Sequence, residues 1–176
     1  MKIVEIRRHS VRDLPDEHLS EAGRQLAAEV GRSEGPFRLV VSSPKLRAQE
    51  TALAMGFPPD EIDPRWYDLG DGRVPWPLGF SEMLEQLAVN PRAAEVAARF
   101  RTGVLDLLTR IPDGAAVLVV AHGGVPELVA ASWCAPAVLE EMGPACRCME
   151  GIRLEFDGAR CVAAAVLRVP AERTRI

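Results

Sequence analysis

Three short stretches of this chain each run an apolar segment into side chains capable of chemistry. Ile3-Val4-Glu5-Ile6 leads into Arg7-Arg8-His9-Ser10. Arg38-Leu39-Val40-Val41-Ser42 leads into Ser43-Pro44, with Arg47 just beyond. Ala116-Val117-Leu118-Val119-Val120-Ala121 ends in His122-Gly123-Gly124. Arginine is permanently charged and its planar fork matches phosphate oxygens. A neutral imidazole can act as nucleophile or base. Glycines at 123 and 124 let the backbone come close to a ligand. Two histidines and two arginines gathered in one volume would bind a phosphoryl group. One histidine would attack phosphorus while the other steadies the equatorial oxygens. Phosphoryl transfer needs mainly positioning and electrostatic stabilisation, and this set offers both without a metal.

Convergence requires an architecture that brings the three segment ends together. The β-branched runs read as buried strands, the third apolar at every position and so covered on both faces. Between them lie helical patterns. Ser20 caps a helix with an Ala22, Leu26, Val30 stripe, ended by Gly35-Pro36. Ser43 and Pro44 read as N-cap and first position of a helix carrying Leu46, Arg47, Thr51, Ala52 and Met55. A cation is disfavoured at a helix N-terminus, so Arg47 predicts an anion sharing its site. Residues 57–80 crowd prolines and glycines into a long irregular loop, with a short strand near Ile62 or Trp66; Ser81 is expected to cap a helix through Leu87. Asn90-Pro91 starts a strongly periodic helix from Ala93 to Ile111, stopped by Pro112-Asp113-Gly114. Ile152–Phe156 and Cys161–Val169 form a hairpin about Asp157-Gly158. Alternating strands and helices predict an α/β fold, a three-layer α/β/α sandwich with a largely parallel central sheet, whose ligands gather at the strands' carboxyl ends.

Composition narrows the function classes. A chain of 176 residues, 48% hydrophobic, is expected to form one domain over residues 1–176. A formal net charge of −4 argues against a nucleic-acid partner. No apolar run approaches the ~20 residues of a membrane span, and no targeting segment precedes the first strand. The expected location is the cytoplasm. Cys134, Cys146, Cys148 and Cys161 form neither a disulfide framework nor a complete metal site. No cofactor and no metal are expected.

With these residues in view, the chain resembles the histidine phosphatase superfamily, also called phosphoglycerate mutase-like. The family's Arg-His-Gly strand end is met by Arg8-His9-Ser10, and its Leu-Thr-x-x-Gly helix start by Leu19-Ser20-Glu21-Ala22-Gly23. Its Ser-Ser-Pro-x-x-Arg-Ala-x-x-Thr-Ala segment is met in full from Ser42 to Ala52, and its apolar strand ending in His-Gly by Val117 to Gly123. The resemblance implies that His9 is a nucleophile forming a phosphohistidine. It implies a phosphate pocket of Arg8, Arg47 and His122, with Ser10 at its edge in place of the family glycine.

The family's proton donor is an acidic residue from the loop after these motifs. Asp68, in Trp66-Tyr67-Asp68-Leu69-Gly70, is the first candidate, shielded by Trp66, Tyr67 and Leu69; Glu82 is second, and Asp71 and Glu127 are weaker. Arg12 and His18 are candidates for touching the rest of the substrate. The expected activity is hydrolysis of a phosphomonoester, on a small phosphorylated metabolite or a phosphoprotein such as a phosphohistidine protein. A phosphoglycerate mutase-type phosphotransferase is the alternative, ranked lower because mutases of the family are longer. A phosphate-binding member without turnover is a third. An acyl hydrolase using His122-Gly123-Gly124 as an oxyanion hole lacks a Gly-x-Ser-x-Gly elbow and drops out.

Overall fold

A computed structural model describes residues 1–15, 17–67, 69, 70 and 72–170. Six strands form one mixed sheet: β1 (Lys2–Arg8), β2 (Leu39–Ser42), β3 (Glu61–Ile62), β4 (Ala116–Ala121), β5 (Gly151–Asp157) and β6 (Arg160–Leu167), in the order β3-β2-β4-β1-β5-β6. β3, β2, β4 and β1 run parallel, whereas β5 and β6 add to the edge antiparallel. The helices are α1 (Glu21–Gly31), α2 (Leu46–Ala54), α3 (Phe80–Val89), α4 (Pro91–Arg110), α5 (Val125–Trp133) and α6 (Pro136–Met142).

The sheet separates two apolar cores. Val4, Ile6, Val41, Val117 and Val119 face the larger one, filled by Val96, Phe100 and Val104 of α4, Leu128 of α5 and Phe80 and Met83 of α3. On the other face, Val40, Leu118 and Val120 meet Leu26, Ala27 and Val30 of α1 and Ala48 and Ala52 of α2. The continuous apolar run of β4 is thus explained by two covered faces. Parallel strands joined through helices on both faces give the three layers expected.

Register does the positioning. Arg8 pairs with Ala121, and Ser42 with Val120, so the three central strands finish almost level. The backbone continues each pairing one step further: His9 N–H donates to Ala121 O (2.9 Å) and Ser43 N–H to Val120 O (3.0 Å). His9, Ser43 and His122 are therefore the first residues past three adjacent strands.

Several boundaries differ from the sequence-based expectation. Ser43 does not cap α2; Lys45 occupies the N-cap without a side-chain bond, and Ser43 is engaged elsewhere. Ser81 does not cap α3, which begins at Phe80 behind Gly79. The short strand is Glu61–Ile62, while Trp66 ends a 3-10 turn and packs flat on Phe100, with ring centroids 5.6 Å apart. Trp66 is therefore part of the core. Helix α6 has no counterpart in the sequence reading; its seven residues carry too short a pattern to register.

One contact links α1 to the chain leaving β1. A Cβ at Gly23 would lie 2.0 Å from the carbonyl oxygen of Val11. Alanine normally favours a helix interior over glycine by about 1 kcal/mol. Here the obstacle is backbone, and overpacking costs about 1–3 kcal/mol. Sterics win: Gly23→Ala is expected to lower the urea midpoint, and an unchanged or raised midpoint would show that the loop yields freely.

Candidate active site

The strand register brings His9, His122, Arg8 and Arg47 together, as their placement in the sequence predicts. His9 and His122 are almost fully buried, with ring centroids 5.3 Å apart in an edge-to-face arrangement. Arg47, one residue into α2, reaches across both. Its Nε donates to His9 Nε2 (3.0 Å) and its Nη2 to His122 Nδ1 (3.3 Å). The outer imidazole nitrogens are fixed by the fold. His9 Nδ1–H donates to Ser10 O (2.7 Å), and His122 Nε2 meets Ser43 Oγ at 2.6 Å. His9 is held as the Nδ1–H tautomer, with the Nε2 lone pair turned into the site.

Electrostatics keep both rings neutral. Burial, then Arg47, Arg8 and Arg12, push His9 down to about 3 despite the opposing bond to Ser10 O. Burial, then His9, Arg47, Lys45 and Arg8, push His122 down to about 2. His122 is therefore neutral in the site as it stands. The arginines supply that charge, and a bound dianion would offset part of the repulsion that holds the histidines neutral.

Arg8 donates from Nη1 to Cys146 O (2.9 Å) and lies beneath the Trp76 ring, 4.7 Å from its centroid. Trp76 in turn presses on the glycine pair after His122. A Cβ at Gly123 would fall 2.4 Å from the Trp76 ring, and Gly124 has φ +85°, a conformation that favours glycine. Tyr67 stands on the other side, its ring 6.4 Å from that of His122 and 5.0 Å from Lys45 Nζ.

The remaining sequence candidates occupy other places. Ser10 turns its hydroxyl to Gly23 O (2.7 Å) and its N–H to Thr51 Oγ1 (2.9 Å). It braces the strand end against α1 and α2 and offers no donor to a phosphate. Its Cβ therefore does not crowd the pocket. Glu82 is solvent-exposed and closes the N-terminus of its own helix, accepting from Gly79 N–H (2.6 Å). Its carboxylate is a helix cap. His18 is exposed and pairs with Glu50. Arg12 lies 3.8 Å from Glu17 and close enough to lower His9 electrostatically. Glu127 is sealed, accepting from Cys146 N–H (2.6 Å), and burial raises its pKa. Asp68 and Asp71 lie outside the described residues.

Sequence reasoning missed Ser43 and Glu17. Ser43 orients His122. Glu17 forms an ion pair with Arg47 Nη1 and lies 3.9 Å from Lys45 and 3.8 Å from Arg12. It is the anion that an arginine at the start of α2 called for, supplied by the chain itself. The signal was present: a charged loop directly after His9.

The family model for the histidine phosphatase superfamily (branch 1) matches residues 5–165. No curated protein matches the sequence. Among solved structures, a mycobacterial glucosyl-3-phosphoglycerate phosphatase in complex with VO3 is 26% identical, with a TM-score of 0.68, covering 94% of this chain and 98% of that one. A phosphoserine phosphatase from Entamoeba histolytica in complex with 3-phosphoglyceric acid shares the fold at 16% identity and a TM-score of 0.68, covering 96% and 98%. Bacillus stearothermophilus YhfR shares it at 20% identity and a TM-score of 0.62, covering 92% and 95%.

The depressed histidines make stability depend on pH with a definite sign. Unfolded imidazoles take up protons as pH falls through 6.5, while the folded ones resist until about 3 and about 2. Across that window the unfolded state binds more protons, so stability is lost as pH falls. The urea midpoint is expected to drop between about pH 7.5 and about pH 5, above most carboxylate titration. The drop should shrink in the His9→Asn, His122→Asn double variant and when orthovanadate is added to the parent protein. Equal slopes in parent and variant would show that the rings titrate normally.

Proposed function

The chain belongs to branch 1 of the histidine phosphatase superfamily, and on that premise we propose that it hydrolyses a phosphomonoester through a covalent phosphohistidine on His9. The observation that carries this reading is the His9 tautomer. Nδ1–H is held by Ser10 O, so the lone pair is on Nε2, where it accepts from Arg47 Nε–H until that guanidinium turns to the phosphate. In the first step that lone pair forms the N–P bond as the P–O bond to the leaving group breaks, and the leaving oxygen takes a proton. In the second step water attacks phosphorus, the N–P bond breaks, and phosphate and neutral imidazole are regenerated. Arg8 and Arg47 hold the equatorial oxygens, and His122, oriented by Ser43, donates from Nδ1 only once the bound dianion draws a proton onto that nitrogen.

The phosphoryl charge is met by guanidinium, so the reaction is proposed to need no metal. Among the described residues no group of three or more His, Cys, Asp or Glu side chains is placed to hold one. The substrate is proposed to be a small phosphorylated metabolite, in keeping with the phosphorylated compounds named for the structural relatives. A phosphoprotein remains the second substrate class. Neither a nucleic acid nor a membrane is part of the reading. Among the described residues no helix is long and apolar enough to cross a membrane.

His9→Ala is expected to abolish turnover while phosphate still binds through Arg8 and Arg47. The parent protein should yield an acid-labile phosphoenzyme when quenched with a radiolabelled substrate. Near-parental turnover in His9→Ala would end the proposal. Binding without turnover in the parent would identify a degenerate phosphate-binding protein, and transfer to a second substrate hydroxyl in preference to water would identify a mutase. Separately, activity should survive excess EDTA; its loss, with recovery on adding Mg²⁺ or Zn²⁺, would contradict the metal-free site.

A further inference from the structure

We propose that Cys134 and Cys161 form a paired thiol site that a small disulfide converts into an intramolecular protein disulfide. The two residues are distant in sequence and are brought together at the antiparallel edge of the sheet. Cys134 closes the C-terminus of α5, its N–H donating to Ala130 O (2.9 Å). Cys161 stands near the start of β6 and pairs with Phe156 of β5. The Phe156 ring meets Trp133, the residue before Cys134, edge to face with centroids 5.1 Å apart. That contact seats the end of α5 against the β5–β6 hairpin. Both thiols are free and only partly buried, and together they line one pocket of about 190 Å³. Gly124 of the active site lies at the other end of α5, so the pair is separate from the phosphate pocket.

The two sulfurs are not equivalent, which decides the one that reacts first. The Cys134 S–H donates to Cys161 Sγ, and the Cys161 S–H points on to Ala163 O (3.5 Å). The hydrogen bond from Cys134 brings Cys161 down to about 7, against the opposing effects of burial and the Glu155 carboxylate. The same bond, with burial, pushes Cys134 up. Cys161 is thus the sulfur that ionises near neutrality, and the thiolate is the nucleophile. Cys134 keeps its proton until its turn comes. Cys146 offers a contrast: it is buried, and burial pushes its thiol up.

The oxidant is a low-molecular-weight disulfide, and the reaction is thiol–disulfide exchange in two steps. The Cys161 thiolate attacks one sulfur of the small disulfide. A bond forms between the two, the small disulfide's own S–S bond breaks, and half of it leaves as a thiolate that takes a proton from solvent. Cys134 then gives its proton to solvent and attacks Cys161 Sγ. The Cys134–Cys161 bond forms as the second small thiolate leaves. The protein loses two protons and two electrons, and the small disulfide gains them as two thiols. Excess thiol reverses both steps, as a transient disulfide in a reducing compartment requires. The product joins the edge hairpin to the C-terminal end of α5.

The test incubates the reduced full-length protein with oxidised glutathione at neutral pH, quenches with acid, and reads intact mass and peptide map. The expected product has lost two hydrogens and carries one linked peptide pair, Cys134 to Cys161, which dithiothreitol releases. In Cys134→Ser the reaction is expected to stop with one glutathione on Cys161. In Cys161→Ser the first step is expected to slow on the order of tenfold, because an ordinary thiol is only a few per cent ionised at pH 7. The parent's peptide map reads the site without any substitution, so the outcome does not depend on a variant folding. A parent that accumulates glutathione adducts with no linked pair, or a link involving Cys146 or Cys148, would overturn the proposal. So would equal first-step rates in the parent and in Cys161→Ser. A parent whose thiols all stay reduced, while the same protein unfolded in urea is oxidised, would show that the folded pair is not reactive and would overturn it as well.

Discussion

The site depends on one guanidinium. Arg47 stands at the start of α2, where the helix macrodipole opposes a cation, and burial further lowers its pKa. It stays because every nitrogen has a partner: His9 Nε2, His122 Nδ1 and Glu17. Those bonds choose the tautomer of both histidines. An imidazole that accepts from Arg47 cannot carry a proton on that nitrogen, so each proton must sit on the far side, toward Ser10 O or Ser43 Oγ. One cation therefore fixes the nucleophile's lone pair and adds to burial in keeping the histidine pair uncharged.

That arrangement is possible only because the sheet register delivers its parts level. A two-residue shift of β2 against β4 would carry Ser43 about 7 Å along the strand and out of reach of His122. The register is held by burial on both faces of β4, since a one-residue slip would point Val117, Val119 and Ala121 away from the α4 and α5 side. The chain leaving β1 is fixed in turn by Ser10, whose hydroxyl and N–H both bond within the fold. The serine that departs from the family glycine thus acts as a brace between the nucleophile and α1.

The central strands, the periodic helix α4 and the convergence of His9, His122, Arg8 and Arg47 were legible in the sequence. Each rests on a local signal: an apolar run, a 3.6-residue period, a reactive residue at a strand end. What was misread depends on contacts distant in sequence. Ser43-Pro44 reads as a helix cap by local rule, but His122, 79 residues away, takes the hydroxyl. Trp66 reads as a shield beside Asp68 in a proline-rich loop, yet Phe100 of α4 draws it into the core. Glu82 looked available because it stands at the start of a helix directly after the irregular loop, and the backbone N–H of Gly79 claims it. Glu17 lay in a charged loop whose solvated appearance hid its ion pair with Arg47.

The most direct test of this account is the protonation state of the two site histidines. Nitrogen NMR of protein labelled at histidine, with assignment by single His→Asn variants, reads each ring nitrogen separately as pH is lowered. The account predicts that His9 is neutral with its proton on Nδ1, that His122 is neutral with its proton on Nε2, and that neither titrates above about pH 5, well below the ordinary histidine value. A proton on His9 Nε2, or a titration of either ring near 6.5, would contradict it, because Arg47 would then not be the group that prepares the nucleophile.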